Sequence, residues 1–239
     1  MKFVFSHGLI GAPTDWTKVI AVLEPQGHEC ISLNLPYFKD HITSIKDYSD
    51  QAFDALPSEF KDGSAVVVGH SLGGLIALSL SEFFSDVFLV GTYTGFGSYP
   101  LPRRKEKVVD WLAELVYDPS AFTQTEIDSY LDLYFSVMKS PGVLRKMKTL
   151  KTATADLQHE DYYERFQEKI HLVLGAQDRL SPPEIYFELK KRFPGFKMHE
   201  ISECGHAIPL EKPEKLAEIL HNFAVEKTAA AQNISLKAS

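Results

Sequence analysis

Residues 65–80 read AVVVGHSLGGLIALSL. The opening Ala-Val-Val-Val is a short apolar run without polar alternation, the pattern of a strand covered on both faces. Gly69-His70-Ser71-Leu72-Gly73 follows at once, and from Leu72 the apolar residues continue as a helical run. A serine with a glycine two positions to either side, set between a strand and a helix, sits on a sharp turn that lifts its hydroxyl above the sheet. The helix behind it aims a partially positive N-terminus at the same point. Ser71 is therefore the candidate nucleophile. The five-residue pattern alone is weak; its strand–turn–helix setting carries the inference.

The same alternation extends outward in both directions. Strands are expected at Lys2–Ser6, Glu29–Asn34, Ser64–Val68, Val87–Thr92, Ile170–Leu174 and Lys197–Ile201, with helices at Trp16–Gln26, Ile45–Leu56, Leu72–Phe84, Pro183–Phe193 and Pro213–Phe223. Strands alternating with helices predict an α/β fold, a parallel sheet with helices on both faces. The core is expected to span residues 1–94 and 167–226. Between them, residues 95–166 break the alternation, with helical stretches at Arg104–Val116 and Thr125–Met138 and no strand pattern. Such an insertion is expected to form a helical cap over the strand ends. From Lys227 onward the chain lacks a periodic apolar face, and residues 227–239 are expected to be a loose tail.

A serine hydroxyl needs a neighbouring base to act as a nucleophile. Of the nine histidines, His206 follows the last expected strand, and Asp178 follows the strand before it. Both fall at C-terminal strand ends, where open parallel sheets place their ligand crevice. His206 is the expected base, and Asp178 the acid that orients its ring. A developing oxyanion needs donors that are already in place. The backbone N–H groups of Leu9, in the glycine-bearing loop Ser6-His7-Gly8-Leu9-Ile10-Gly11, and of Leu72 are the expected pair. His7 suits loop packing, and His70 suits packing beneath the turn.

With these residues in view, the sequence resembles the α/β-hydrolase family. The resemblance rests on His7-Gly8, on Gly69–Gly73, on the acid loop GAQDRLSPP and on the histidine loop CGHAIPLEKPEKL, over residues 1–94 and 167–224. It implies a serine hydrolase of esterase or thioesterase type that works through an acyl-enzyme on Ser71, with the family's Ser, Asp, His chain order. No metal or cofactor is implied. Two short strands that often precede the oxyanion loop in the family are missing here, so a reduced sheet of six parallel strands is expected. A serine at position 71 disfavours the aspartate-dependent dehalogenases and epoxide hydrolases of this fold. Leu75 stands where the similar carbon–carbon lyase of menaquinone synthesis usually has arginine, which weakens a lyase reading. The alternatives are a lyase or cofactor-free oxygenase on the same three residues, and a non-catalytic ligand receptor.

Composition narrows the setting. The formal charge of −7 argues against a general nucleic-acid-binding role. No apolar run approaches the length of a membrane span. The N-terminus, MKFVFSHG, runs directly into a core strand, and only Cys30 and Cys204 are present. A cytoplasmic location is expected. Residues 97–155 carry nine Lys/Arg against seven Asp/Glu, in clusters around Arg103–Lys107 and Arg145–Lys151. A solvated helix face accounts for this; the sharper expectation is a docking surface for an acyl-carrier partner. Aromatic residues of the same segment, Phe96, Tyr99, Trp111, Tyr130 and Tyr134 among them, are expected to pack the cap and wall an acyl pocket.

Overall fold

The computed structural model describes residues 1–35, 44–92, 102–156 and 159–238. Phe96 and Tyr99, and the cap's first residues up to position 101, lie outside them.

Six parallel strands form one sheet: β1 (Lys2–Ser6), β2 (Glu29–Ser32), β3 (Val66–His70), β4 (Asp86–Val90), β5 (Ile170–Gly175) and β6 (Lys197–Ile201), in the order β2-β1-β3-β4-β5-β6. Val66, Val67 and Val68 are all fully buried, because successive side chains of a strand point to opposite faces and both faces are covered. Val67, Val87, Leu89, Ile170 and Leu172 face one apolar cluster. It is closed by α2 (Ile45–Asp54), α3 (Leu72–Ser79) and α8 (Pro183–Arg192) through Tyr48, Leu75, Ile76 and Tyr186. Val66, Val68, Phe88 and Val90 face the other, closed by α1 (Thr17–Leu23) and α10 (Pro213–Ala238) through Val19, Leu23, Leu216 and Leu220.

The cap contains α4 (Lys105–Leu115), α5 (Gln124–Met138), α6 (Val143–Asp156) and α7 (His159–Phe166). Thr123 and Glu126 cap α5 reciprocally, each side chain bonding the other's backbone N–H. Val108, Leu131 and Tyr134 enclose Ile10 from the loop after β1 in a third apolar cluster, which ties α4 and α5 to the C-terminal end of β1. Leu150 of α6 and Tyr163 of α7 instead join the core cluster beside α3.

Several boundaries differ from the expectation. β4 stops at Val90, short of Thr92, because Gly91 takes a positive φ of 54°. α3 ends at Ser79 rather than Phe84, where the hydroxyls of Ser79 and Ser81 donate back to the carbonyls of Ile76 and Leu78 and compete with the helical pattern. β3 begins and ends two residues later than expected, and β2 ends two residues earlier. The segment from Lys227 is the largest difference. Instead of a loose tail, α10 continues to Ala238, with residues 225–233 exposed. Alanine-rich sequence extends a helix without needing an apolar face.

The strand order reverses around β1: the chain goes from β1 to β2 on one side and returns to β3 on the other. The helices that follow β1 and β3 therefore pack on opposite faces of the sheet, α1 in one apolar cluster and α3 in the other, and open parallel sheets place their ligand site at such a reversal.

Candidate active site

Ser71 occupies the turn between β3 and α3 with φ 53° and ψ −121°, a conformation costly for a residue with a Cβ. Its N–H donates to the Val90 carbonyl (2.9 Å), and its own carbonyl accepts from Gly74 N–H (3.0 Å). The flanking glycines make the turn possible. A Cβ on Gly69 would overlap the backbone of Gly73 and Gly74, and one on Gly73 would strike the carbonyls of Ser6 and His7. The loop after β1 and the start of α3 thus touch backbone to backbone.

His206 and Asp178 come together at this turn. His206 Nε2 lies 3.1 Å from Ser71 Oγ, and Nδ1 lies 2.9 Å from Asp178 Oδ2. Asp178 and His206 are both buried, at 3% and 6% exposure, so little water competes for these bonds. The other carboxylate oxygen of Asp178 accepts the N–H groups of Leu180 and Ser181, both at 2.8 Å. That leaves Oδ2 for the imidazole. The acid and histidine loops are also stitched together, with Gln177 N–H donating to the Cys204 carbonyl and Cys204 N–H to Gln177 Oε1, each at 2.9 Å.

Leu9 and Leu72 border the same space. Leu72 is the first residue of α3, where an N–H has no intrahelical acceptor. Leu9 follows Gly8, whose position is tight enough that a Cβ there would stand 3.2 Å from Ser71 Cβ. The turn is closed by Gly11 N–H to the Gly8 carbonyl (3.0 Å), with Ile10 at φ 57°.

The two neighbouring histidines have structural partners. Leu35 N–H donates to His7 Nε2 (3.3 Å), so Nδ1 carries the proton and donates to the Gly8 carbonyl (3.0 Å). His70 Nε2 donates to the His206 carbonyl (2.8 Å). Burial, with His206 beside it, pulls the His70 pKa down to about 3, which keeps the ring neutral. Cys204 is fully buried, and burial raises its thiol pKa well above the ordinary value; it packs as a small apolar side chain.

Above Ser71 lies a cavity of about 1310 Å³ walled mainly by apolar groups, among them Leu9, Trp111, Leu133, Met138 and Met147. Asp15, Arg103 and Lys148 also border it, as do Lys18 and Glu126, which pair at 2.6 Å.

Comparison with known proteins places this architecture. A family model described as "Alpha/beta hydrolase family" matches residues 3–219. The chain belongs to the alpha/beta hydrolase family. This hydrolase is 33% identical to Esterase PIR7B of Oryza sativa subsp. japonica over 264 residues, covering 93% of this chain and 95% of the relative. It is 27% identical to the uncharacterized hydrolase YugF of Bacillus subtilis (strain 168), covering 91% and 87%. Among solved structures, it is similar to Est816, described as an N-acyl homoserine lactone degrading enzyme, with TM-score 0.74, 20% identity and 93% coverage of each chain. The sheet matches the fold of these neighbours.

One group around the hydrolase's site had no motif to reveal it. Glu211, five residues after His206, places its carboxylate under the histidine loop. It falls inside CGHAIPLEKPEKL, where an acidic residue reads equally well as solvated surface.

Proposed function

We propose that this hydrolase cleaves carboxylic esters or thioesters with an apolar acyl or alcohol part, through an acyl-enzyme formed on Ser71. The observation that carries this is the continuous pair of hydrogen bonds from Ser71 Oγ to His206 to Asp178, 3.1 and 2.9 Å, at the floor of an apolar cavity. Ser71 Oγ attacks the carbonyl carbon and passes its proton to His206 Nε2. Asp178 stabilises the imidazolium and holds the tautomer that leaves Nε2 free to accept. The carbonyl oxygen becomes an oxyanion that accepts from the N–H groups of Leu9 and Leu72. The C–O or C–S bond then breaks, and the leaving group takes the proton from His206. Water, deprotonated by the same histidine, releases the carboxylic acid and restores Ser71.

The esterase name of the 33% identical relative supports an ester substrate. Arg103 and Lys148 at the cavity border suit a substrate with an anionic arm, such as an acyl-carrier thioester. The unpaired cysteines accord with a cytoplasmic setting. Among the described residues, no helix is long and apolar enough to cross a membrane.

The test is fluorophosphonate labelling alongside p-nitrophenyl ester turnover. Ser71→Ala is expected to abolish labelling and to lower kcat by about 10³-fold or more. Retained turnover in that variant would refute the nucleophile assignment. Labelling without turnover across an ester panel would favour the lyase or oxygenase reading, and ligand-dependent stabilisation without any turnover would favour a receptor.

A further inference from the structure

The imidazole of His206 can serve as a base only if the backbone beneath it is fixed, because the ring swings on the Cα that the loop supplies. The N–H of Gly205 donates to Glu211 Oε2 (3.0 Å), and that of Ala207 to Glu211 Oε1 (3.0 Å). One carboxylate therefore grips the chain on both sides of His206. Its third partner comes from the cap: the N–H of Tyr117, two residues beyond the end of α4, donates to Oε2 at 2.7 Å. Beside it, His206 N–H donates to the carbonyl of Leu115 at 2.6 Å. The segments 115–117 and 205–207 lie so close that a Cβ on Gly205 would strike the Leu115 carbonyl and the Tyr117 nitrogen. A short helix, α9 (Ile208–Glu211), delivers the carboxylate, and Pro209 within it and Pro213 just after stiffen the path.

We propose that Glu211 is the positioning residue of the base, and that through Tyr117 it makes the geometry of His206 depend on docking of the cap. Resting on the esterase reading above, this assigns Glu211 no contact with substrate. Three N–H donors converge on a half-buried carboxylate, an arrangement whose bonds are charge-assisted and direction-specific. Burial raises the Glu211 pKa, with the negative Asp178 adding to the effect and the three N–H donors opposing it. A half-buried charge held against that tendency is weak evidence for stability; its placement around the histidine gives it a function. Trp111, Leu112 and Leu115 of α4 line the cavity that an acyl group would fill. The same segment carries the acceptor of His206 N–H, so pocket occupancy and base alignment share one element.

The experiment uses the full chain and p-nitrophenyl butyrate, with rates normalised to active sites titrated by the fluorophosphonate. Glu211→Gln keeps the shape but cannot accept all three N–H groups. It is expected to lower kcat about tenfold or more while KM changes less than about threefold, and to slow labelling of Ser71 in parallel. Tyr117→Pro removes the cap's N–H donor at a half-exposed position, and Tyr117→Ala, which keeps that N–H and should keep kcat near wild type, controls for the lost ring. Tyr117→Pro is expected to lower kcat several-fold with Glu211 intact. If Glu211→Gln folds, by its melting curve, and keeps kcat and labelling within twofold, the positioning role is overturned. If Glu211→Gln does not fold, Tyr117→Pro decides, and wild-type kcat and labelling in that variant overturn the coupling to the cap. Failure of the wild-type protein to react with the fluorophosphonate would instead overturn the underlying esterase reading.

Discussion

Replacing Asp15 by asparagine is expected to stabilise the protein at alkaline pH and to leave it unchanged in acid. Asp15 sits at the cavity border with one oxygen accepting Ala12 N–H at 3.1 Å. Burial raises its pKa from 3.8 to about 6, more than the Ala12 bond lowers it. An acid whose pKa is raised in the fold keeps its proton longer there than in the unfolded chain. The Asp15 contribution to stability is therefore greatest below about pH 4 and falls as pH rises towards 6, where the folded carboxyl ionises. The difference between 3.8 and about 6 corresponds to roughly 3 kcal/mol above both values. Partial exposure reduces this to about 1–2 kcal/mol. Asparagine retains a carbonyl oxygen for Ala12 N–H and carries no charge, so Asp15→Asn recovers that amount. For a chain of this size the gain is roughly 2–8 °C in Tm at pH 8. Thermal unfolding of both proteins at pH 4 and pH 8 measures it. A variant no more stable than the parent at pH 8, or equally stabilised at both pH values, would refute the reasoning.

Two further outcomes test the packing that holds the site. Gly73→Ala drives a Cβ into the Ser6 and His7 carbonyls; urea denaturation should show a loss of about 3 kcal/mol or no folded protein, and a loss below 1 kcal/mol would contradict the contact. His171 is buried against Phe88 and His199, and burial lowers its pKa from 6.5 to about 4 despite the nearby Asp86. The unfolded chain takes up that proton first, so the His171 contribution to stability is full above about pH 6.5 and should fall by up to roughly 3 kcal/mol as pH drops to 4. His171→Phe should flatten that part of the pH profile, and an unchanged slope would exclude His171 as its source.

The fold was legible because β3, β4 and β5 are apolar runs too short for buried helices, and each is followed by a turn. Element ends were less so. The stop after Val90 depends on Gly91 adopting a positive φ, and the end of α3 on serine hydroxyls choosing backbone carbonyls; neither choice has a spacing. Helices α6 and α7 show sparse apolar residues, because each presents only a narrow face to the rest of the molecule, chiefly Leu150 and Tyr163. At the site, Ser71, Asp178 and His206 could be picked out because each follows a strand in a distinctive local setting. Glu211 and His70 act on backbone atoms, which every residue has, so no pairing pattern in the sequence points to them.

Where strain falls in the chain gives the site its own signature. Among the described residues, the non-glycine positions with positive φ are Ile10 (57°), Ser71 (53°) and Glu203 (52°). They follow β1, β3 and β6, in the loops that carry Leu9, the Ser71 turn and His206. Each conformation costs free energy, and a β-branched residue such as Ile10 tolerates it least. Such conformations persist only where surroundings over-determine them. Ile10 is held at 2% exposure inside the cap's apolar cluster, and Ser71 by its bond to Val90 and the close-packed glycines. Glu203 is followed directly by Cys204, whose N–H and carbonyl are both tied to Gln177. The strand ends are rigid, so these bends can aim three loops at one point without spreading the distortion. The cap cluster that holds Ile10 and the α4 segment that meets His206 belong to one insertion, so removing the cap would relax the Leu9 loop and the base together, rather than only uncover the pocket.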